Sequence, residues 1–183
     1  SKRFFKSVLL NMDLFKKRSS LQRAVYSKFI QSVISVNDMA LLQNIFTELD
    51  VNKNGSISLD EFVPVLPTIS SSAKIFRSID MNGDSKLKFS EFLVAGIDHQ
   101  RMLTTRNIIK FHKMFEQDRE GNILIRDLLK FVYGSRISQK QLSALLRQIR
   151  TDVSDKMNLG ELRAYLYNVQ APPTVEIETA TQL

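Results

Sequence analysis

Two twelve-residue stretches carry oxygen-bearing side chains at matching positions and are the best candidates for chemistry in this chain. They are DVNKNGSISLDE at residues 50–61 and DMNGDSKLKFSE at residues 80–91, hereafter loop 1 and loop 2. Loop 1 offers ligands at Asp50, Asn52, Asn54, Ser56, Ser58 and Glu61. Loop 2 offers ligands at Asp80, Asn82, Asp84, Lys86 and Glu91. Calcium is a hard cation that takes about 6–8 oxygen ligands in a flexible shell, so this pattern predicts two calcium sites.

The spacing within both stretches is that of an EF-hand loop, which uses positions 1, 3, 5, 7, 9 and 12 and ends in a bidentate Glu. Position 7 binds through its backbone carbonyl, so Lys86 contributes no side-chain ligand. Position 6 needs a positive φ, which Gly55 adopts easily. Loop 2 has Ser85 at that position, and we expect calcium binding there with some loss of affinity, partly relieved by Gly83.

Position 8 of the two loops is apolar, with Ile57 in the first and Leu87 in the second. We expect these residues to pair through a short antiparallel bridge that joins the two sites in one lobe. A single Asp-x-Asn-x-Asn-Gly string is also an ordinary turn. Two such strings, each between apolar helical segments, favour helix-loop-helix units. The few formal charges among the ligands and the nearby Lys88 predict sensor affinity, roughly 10⁻⁷ to 10⁻⁵ M.

The same frame recurs at residues 116–127 (loop 3) and 150–161 (loop 4), which predicts four helix-loop-helix units. Loop 3 has possible weak ligands at Glu116, Asp118, Glu120, Asn122 and Asp127. Its Glu at position 1 is too long and its Asp at position 12 too short for the usual calcium shell. Weak calcium binding, magnesium binding and a purely structural role remain open for this third site. Loop 4 has Arg150 at position 1, which opposes a cation, so we expect Ile123 and Met157 only to pair structurally.

The net charge of +7 is unevenly distributed along the chain. Residues 1–28 contain eight basic residues against Asp13 alone. Residues 29–98 contain five basic and nine acidic residues, and residues 99–183 contain thirteen and nine. The acidic part therefore holds the intact loops. No DNA-binding motif or surface of stacking aromatic residues accompanies the basic charge, so nucleic acid is not an expected partner.

The first 33 residues form a basic amphipathic segment, in one helix or two. Its apolar positions follow helical spacing, and we expect anchors at Leu14, Phe15, Leu21, Val25 and Phe29. Three hypotheses fit this composition: a target helix bound within the same chain, an ordinary packed helix, and a helix lying on a membrane surface.

The chain resembles the C-terminal regulatory region of calcium-dependent protein kinases of plants and apicomplexan parasites. NMDLFKKRSSLQRAVYSKFI at residues 11–30 resembles the junction helix of that family, and EFLVAGID at residues 91–98 resembles the sequence after its second loop. The resemblance implies an all-α EF-hand fold in two lobes that regulates an attached serine/threonine kinase by rearranging around the junction helix. The alternative is a free-standing calmodulin-like or calcineurin-B-like sensor that binds target helices of other proteins.

This interpretation predicts four segments: the junction segment (residues 1–34), the N-terminal lobe (35–98), the C-terminal lobe (99–170) and a tail (171–183). The chain lacks the Gly-rich loop, H-R-D and D-F-G motifs of a kinase, so we expect no catalytic residues and a regulatory fragment. We expect helix around residues 97–104 between the lobes, with His99 and His112 at the surface or between the lobes. The order of the tail is left open.

The chain has no cysteine, which excludes disulfides and agrees with a cytoplasmic location. No apolar run is long enough to span a membrane. Any membrane attachment is expected from a lipid anchor upstream of residue 1.

Overall fold

The computed structural model describes residues 2–65, 69–149 and 154–167, and most of these residues are helical. The helices are α1 (Lys2–Lys16), α2 (Ser20–Val33), α3 (Val36–Leu49), α4 (Leu59–Phe62), α5 (Ile69–Ile79), α6 (Phe89–Gly96), α7 (His99–Met102), α8 (Thr105–His112), α9 (Ile125–Tyr133), α10 (Gln139–Ile149) and α11 (Leu159–Tyr167). The strands are β1 (Ser56–Ile57), β2 (Leu87–Lys88), β3 (Ile123–Leu124) and β4 (Lys156–Met157). The helix α4 continues into a 3-10 helix over Val63–Val65, where Pro64 favours its end.

The junction segment forms two helices because a strong N-cap interrupts it. Ser19 Oγ accepts a hydrogen bond from the backbone amide of Gln22 (3.2 Å), and Gln22 Oε1 accepts one from the amide of Ser19 (2.9 Å). This capping box begins α2 and satisfies two amides that the first turn leaves without helical partners.

Helix-loop-helix units place the four loops in pairs. Helices α3 and α4 flank loop 1, and α5 and α6 flank loop 2. The strands β1 and β2 join these loops in antiparallel register, with Ile57 opposite Leu87 as predicted. The strands β3 and β4 join the other two loops, with Ile123 opposite Met157, also as predicted.

The two helices of the junction segment pack against different sets of helices. Helix α1 packs against α5 and α6 in the N-terminal lobe, whereas α2 packs against α8, α9 and α11 in the C-terminal lobe and also meets α6. The apolar core extends through both lobes, and its largest side chains below 2% exposure include Tyr26, Phe15, Phe29, Phe62, Phe92 and Phe111. The junction segment is therefore part of the core, which excludes the hypothesis that its apolar face lies on a membrane in this conformation.

The connection between the lobes differs from the expected helix over residues 97–104. Helix α6 ends at Gly96, and Ile97 is extended with φ −68° and ψ 150°. Asp98 then caps the single turn α7 by accepting hydrogen bonds from the amides of Gln100 and Arg101. The predicted helix is thus limited to one turn, because the Asp98 cap starts a new helix instead of continuing α6.

Two sequence predictions fall outside the described residues: the interaction of Arg150 at the start of loop 4 and the order of the tail. Within the described ranges, no helix has the length and apolar character required to cross a membrane.

Candidate metal centre

Loop 1 begins where α3 ends, and its first carboxylate organises the turn. The side chain of Asp50 is largely buried, and its Oδ1 and Oδ2 accept hydrogen bonds from the amides of Asn54 (3.0 Å) and Gly55 (2.7 Å). Asn52 Oδ1 also accepts a hydrogen bond from the amide of Asn54 (3.0 Å). Positions 1, 3 and 5 of the predicted shell are therefore tied together by backbone donors.

Glu61 closes loop 1 from the first turn of α4. Its Oε2 accepts hydrogen bonds from the amide (2.9 Å) and hydroxyl (2.7 Å) of Ser58, and its Oε1 accepts one from the amide of Asn52 (3.2 Å). The hydrogen bonds from the backbone and side chain of Ser58 are the main reason that the pKa of Glu61 is lowered. The carboxylate at position 12 is thus favoured in its ionised form, which is the form that binds a cation.

The backbone of both loops enters the left-handed region at positions 4 and 6. Lys53 and Gly55 have φ values of 57° and 82°, and Gly83 and Ser85 have values of 71° and 62°. Loop 2 therefore adopts the required turn despite the Cβ of Ser85. A residue with a Cβ is strained in this region, whereas glycine at position 4 is not, so the strain of loop 2 falls on Ser85.

Loop 2 repeats the internal hydrogen bonds of loop 1. Asp80 accepts hydrogen bonds from the amides of Gly83 and Ser85, both at 2.9 Å. Asn82 Oδ1 accepts one from the amide of Asp84 (2.9 Å), and Asp84 Oδ1 accepts one from the amide of Lys86 (3.0 Å). The predicted ligands at positions 1, 3 and 5 are again fixed by the turn that carries them.

Glu91 is more enclosed than its counterpart Glu61, with only 5% of the residue exposed. Its Oε1 accepts hydrogen bonds from the amides of Met81 (2.9 Å) and Asn82 (3.2 Å), and its Oε2 accepts one from the amide of Lys88 (3.0 Å). Because Glu91 lies in the first turn of α6, the closing carboxylate of loop 2 is rigidly linked to that helix.

The donor set of loops 1 and 2 suits calcium. Within the three described ranges, no group of three or more His, Cys, Asp and Glu side chains forms a metal cluster. The loops instead combine two or three carboxylates each with amide, hydroxyl and main-chain oxygens, a mixture that calcium accepts and softer metals do not prefer. Binding of an ion by the individual residues remains a prediction.

One lysine contacts a predicted calcium ligand in loop 2. Lys88 Nζ lies 3.0 Å from Asp84 Oδ2. The same contact lowers the pKa of Asp84, mainly through the hydrogen bond from Lys88. Loop 1 has Ser58 at the equivalent position 9, so the two loops differ in the charge that a cation meets.

Loop 3 is organised differently from loops 1 and 2. Asp118 Oδ2 accepts a hydrogen bond from Lys156 Nζ of loop 4 at 2.8 Å. Asn122 Nδ2 donates to both carboxylate oxygens of Asp118 and to Glu120 Oε2. At the end of the loop, Asp127 Oδ1 lies 3.8 Å from Lys130 Nζ of its own helix. The candidate ligands of this third site are thus already engaged by donors, and Glu116 is exposed.

The N-terminal groove holds α1 through one face of that helix. Val8, Met12 and Phe15 are at most 1% exposed. Asn11 Nδ2 donates a hydrogen bond to the carbonyl of Gly96 (2.9 Å) at the end of α6. A Cβ at Gly96 would lie 2.9 Å from Val8 Cγ1, so this glycine permits the close approach of the two helices. Leu14 is 44% exposed, and its assignment as an anchor is wrong because it lies off this buried stripe.

The C-terminal groove holds α2 through the three predicted anchors that lie in this helix. Leu21, Val25 and Phe29 are at most 3% exposed. Phe29 meets Phe111 of α8 edge to face, with 5.5 Å between the ring centroids. Aromatic pairs in this geometry stabilise a core beyond the area they bury.

A buried polar cluster lies where α1 meets α2, and sequence reasoning missed it. Arg18 is 4% exposed, with Cζ 4.3 Å from the ring centroid of Tyr26 and Nη1 donating to the carbonyl of Leu166 (2.9 Å). The imidazole ring of His99 stacks on the ring of Tyr26, with 4.7 Å between the ring centroids. Burial, and next the charge of Arg18, lowers the pKa of His99 to about 4. The i+3 spacing of Met12, Phe15 and Arg18 was the signal available in the sequence.

Known proteins similar to this chain include both kinases and a transporter. Residues 18–67 match the family model of an EF-hand domain pair. Calcium-dependent protein kinase 7 of Arabidopsis thaliana is 24% identical over 164 residues, which cover 85% of this chain and 29% of the kinase. Calcium-dependent protein kinase 4 of Plasmodium falciparum is 21% identical over 175 residues, covering 86% of this chain and 33% of the kinase. The mitochondrial adenyl nucleotide antiporter SLC25A24 of Bos taurus is 26% identical over 145 residues, covering 74% and 28%.

These matches confirm the predicted all-α EF-hand fold and the resemblance to calcium-dependent protein kinases. The kinases match through their C-terminal regulatory region, and the chain spans less than two thirds of the length of the relatives it matches. An EF-hand domain implies calcium binding, without fixing the number of sites.

Proposed function

We propose that this chain, an EF-hand protein homologous to the regulatory region of calcium-dependent protein kinases, is the calcium sensor that controls an attached serine/threonine kinase domain. The observation that supports this proposal most directly is that one short helix, α6, carries a predicted calcium ligand at its beginning and a contact with the junction segment at its end. Calcium, when bound, would supply the positive charge that gathers the oxygen ligands of loops 1 and 2.

The link between ligand and junction runs along α6 from Glu91 to Gly96, which is six residues. Glu91 lies in the first turn of α6, and Gly96 is its last residue. This stretch of helix rises by about 7.5 Å and moves as a rigid body, so a shift of Glu91 toward its loop also shifts Gly96. Asn11 and Val8 contact Gly96 directly. The position of α6 and the docking of α1 are therefore coupled.

The charge of the two partners supports an internal target helix. The junction segment is strongly basic, and residues 29–98 carry nine acidic against five basic residues. The apolar face of α1 is buried in the groove of this acidic lobe, as expected for an amphipathic helix bound by a calcium sensor.

Calorimetry on the intact chain tests the sensor. We expect two calcium sites with dissociation constants of roughly 10⁻⁷ to 10⁻⁵ M. Glu61→Gln and Glu91→Gln should each remove one site. Asp60→Asn is the matched control, since Asp60 is an exposed carboxylate at position 11 of loop 1. Absence of calcium binding up to about 10⁻⁴ M would overturn the proposal.

Hydrogen exchange tests the coupling to the junction segment. Amides of residues 8–16 should change their exchange rates when calcium is added, and Glu91→Gln should abolish the change more completely than Glu61→Gln because only Glu91 lies on α6. Exchange in α1 that does not respond to calcium would contradict the switch while leaving calcium binding intact.

A free-standing or differently attached sensor is the second candidate. The similarity to an antiporter favours it, since a region similar to this chain also occurs in a protein that is named as a transporter. The coding sequence upstream of residue 1 separates the candidates: a kinase domain there supports the first, and a different domain or a start codon supports the second.

A further inference from the structure

We infer that Lys156 acts as a tethered cation for loop 3. Its ammonium group takes the place of a metal ion and holds the C-terminal lobe in its folded conformation without calcium. The proposal concerns a different pair of loops from those of the proposed function, and it stands on the contacts between loops 3 and 4.

The position of Lys156 is fixed by the sheet that joins the two loops. It lies at position 7 of loop 4, in β4, opposite Leu124 of β3. From this strand its side chain crosses to loop 3, and Nζ reaches Asp118 Oδ2 at 2.8 Å. Asp118 occupies position 3 of loop 3, where the corresponding residues of loops 1 and 2 are predicted calcium ligands. The ammonium group therefore contacts the carboxylate that a bound ion would use.

The side-chain amide of Asn122 is a second donor to the candidate ligands of loop 3. Asn122 Nδ2 lies 3.2 Å and 3.1 Å from the two carboxylate oxygens of Asp118, and 3.2 Å from Glu120 Oε2. A metal ion accepts electron pairs from oxygen and is repelled by N–H donors, so these contacts replace ion coordination with hydrogen bonds.

A further ion pair ties loop 3 to loop 4. Arg126 donates to the carboxylate of Asp155, and the amide of Ile125 donates to the carbonyl of Asp155 at 2.8 Å. The two basic residues thus bind acidic partners across the pair of loops, in opposite directions: Lys156 of loop 4 to loop 3, and Arg126 of loop 3 to loop 4. The hydrogen bond from Lys156 is also the largest cause that lowers the pKa of Asp118.

The two junction helices should therefore respond differently to calcium. Helix α2 is held by α8 and α9, which flank loop 3, and its Phe29 packs on Phe111. If Lys156 fixes the conformation of this lobe, then α2 stays docked at any calcium concentration. The response to calcium then falls mainly on α1, which packs on α5 and α6 beside loop 2, whereas α2 has a smaller contact with α6.

Ion binding by loop 3 is measured in the intact chain after loops 1 and 2 are disabled by Glu61→Gln and Glu91→Gln. We expect no saturable binding of calcium or magnesium below about 1 mM with Lys156 present. Lys156→Met keeps the approximate length of the side chain and removes its charge. It should strengthen ion binding by about tenfold or more, which is roughly the effect of removing one nearby positive charge. Lys140→Met is the matched control, since Lys140 is an exposed lysine of the same lobe outside the loops.

Thermal unfolding in a chelator gives a second readout. Lys156→Met should lower the unfolding temperature of the C-terminal lobe without ions, and millimolar magnesium should restore part of the loss. Lys140→Met should change neither. Unchanged ion binding and unchanged stability in Lys156→Met would overturn the proposal.

Two measurements on the chain with Lys156 intact decide the matter even if Lys156→Met does not fold. Micromolar calcium binding by loop 3 would overturn the proposal. The ammonium signal of Lys156 in nitrogen-15 NMR should be slowed in exchange with water and should lose this protection in Asp118→Asn. A Lys156 signal that behaves like that of Lys140 would also overturn it.

Discussion

The side-chain amide of Asn11 donates a hydrogen bond of 2.9 Å to the backbone carbonyl of Gly96, which joins the junction segment to the last residue of α6. The carbonyl belongs to a helix end, where acceptors lack helical partners, so Asn11 satisfies a group that would otherwise need water. The absence of a side chain at residue 96 lets Val8 approach the same backbone. The contact between α6 and the junction segment thus depends on the side-chain amide of Asn11 and on the glycine at position 96.

Gly96→Ala should loosen α1. The new Cβ would lie 2.9 Å from Val8 Cγ1, and a β-branched valine has little freedom to move aside. Overpacking of this kind costs about 1–3 kcal/mol, so hydrogen exchange of residues 8–16 should become faster while α2 keeps its protection.

Gly160→Ala is the control for this substitution. Gly160 also lies in a helix, but its Cβ would meet only the side-chain oxygen of Asn158, at 3.2 Å. Equal exchange rates in α1 of Gly96→Ala and the unaltered chain would show that the close approach is not needed for docking.

Phe29→Ala should destabilise the chain far more than Leu14→Ala. Phe29 is fully buried against Phe111, and truncation of such a residue costs about 3–5 kcal/mol. Leu14 is 44% exposed. Its truncation should therefore lower the free energy of unfolding by only about 0.5 kcal/mol, as is usual for surface substitutions. Chemical denaturation monitored by circular dichroism measures both, and similar costs would show that Leu14 is an anchor after all.

The contrast between these two residues shows what periodicity can and cannot predict. Leu14 and Phe15 are neighbours, and each extends a plausible apolar stripe, so spacing alone did not decide which one faces the groove. The loops were easier, because an ion-binding loop constrains the residue types at its ligand, turn and pairing positions. Gly55, Ile57 and Leu87 adopt the expected turn and pairing.

The local sequence indicates the burial of Arg18 only through its i+3 spacing from Phe15, and it does not indicate the partners of this residue. The residue follows two lysines and was counted with the solvated charge of the junction segment. Its burial depends on the break between α1 and α2, on the contact with Tyr26 in α2, and on the hydrogen bond to the carbonyl of Leu166, which is distant in sequence. The one-turn helix at His99 likewise results from a cap that interrupts a favourable helical sequence.

Lys88→Ser should strengthen calcium binding by loop 2. The ammonium of Lys88 lies 3.0 Å from Asp84 Oδ2 and competes with an ion for that carboxylate. Serine is the residue at this position of loop 1, so the change also matches the two loops. Removal of one exposed charge should lower the dissociation constant roughly three- to tenfold. Calorimetry in the Glu61→Gln background isolates this site.

The reverse substitution, Ser58→Lys in the Glu91→Gln background, should weaken loop 1. The effect of Lys88→Ser should shrink in high salt, because screening reduces the influence of an exposed ammonium. A dissociation constant that is unaffected by Lys88→Ser would show that Lys88 does not compete with the ion for Asp84.

Stability should fall as the pH decreases from about 6.5 toward 4, and His99 should account for part of the loss. Burial, followed by the charge of Arg18, lowers the pKa of His99 to about 4 in the folded chain, while a backbone hydrogen bond with Ala95 and the charge of Asp98 act in the opposite direction. Above the ordinary pKa of about 6.5 the imidazole is neutral in both states, and stability is at its full value. Between the two pKa values only the unfolded chain binds the proton, so the unfolded state gains. The contribution is on the order of 3 kcal/mol, and it does not grow further below the folded pKa.

Denaturation curves at pH 7.5, 6, 5 and 4, recorded in a chelator, measure this dependence. His99→Gln removes the titrating group, so its stability should fall less over the same range. His112→Gln is the matched control: burial also lowers the pKa of His112, but this residue lies in α8 outside the Arg18 cluster, so the His99 component should persist in it. An unaltered pH dependence in His99→Gln would show that the imidazole stacked on Tyr26 is not the group that resists protonation.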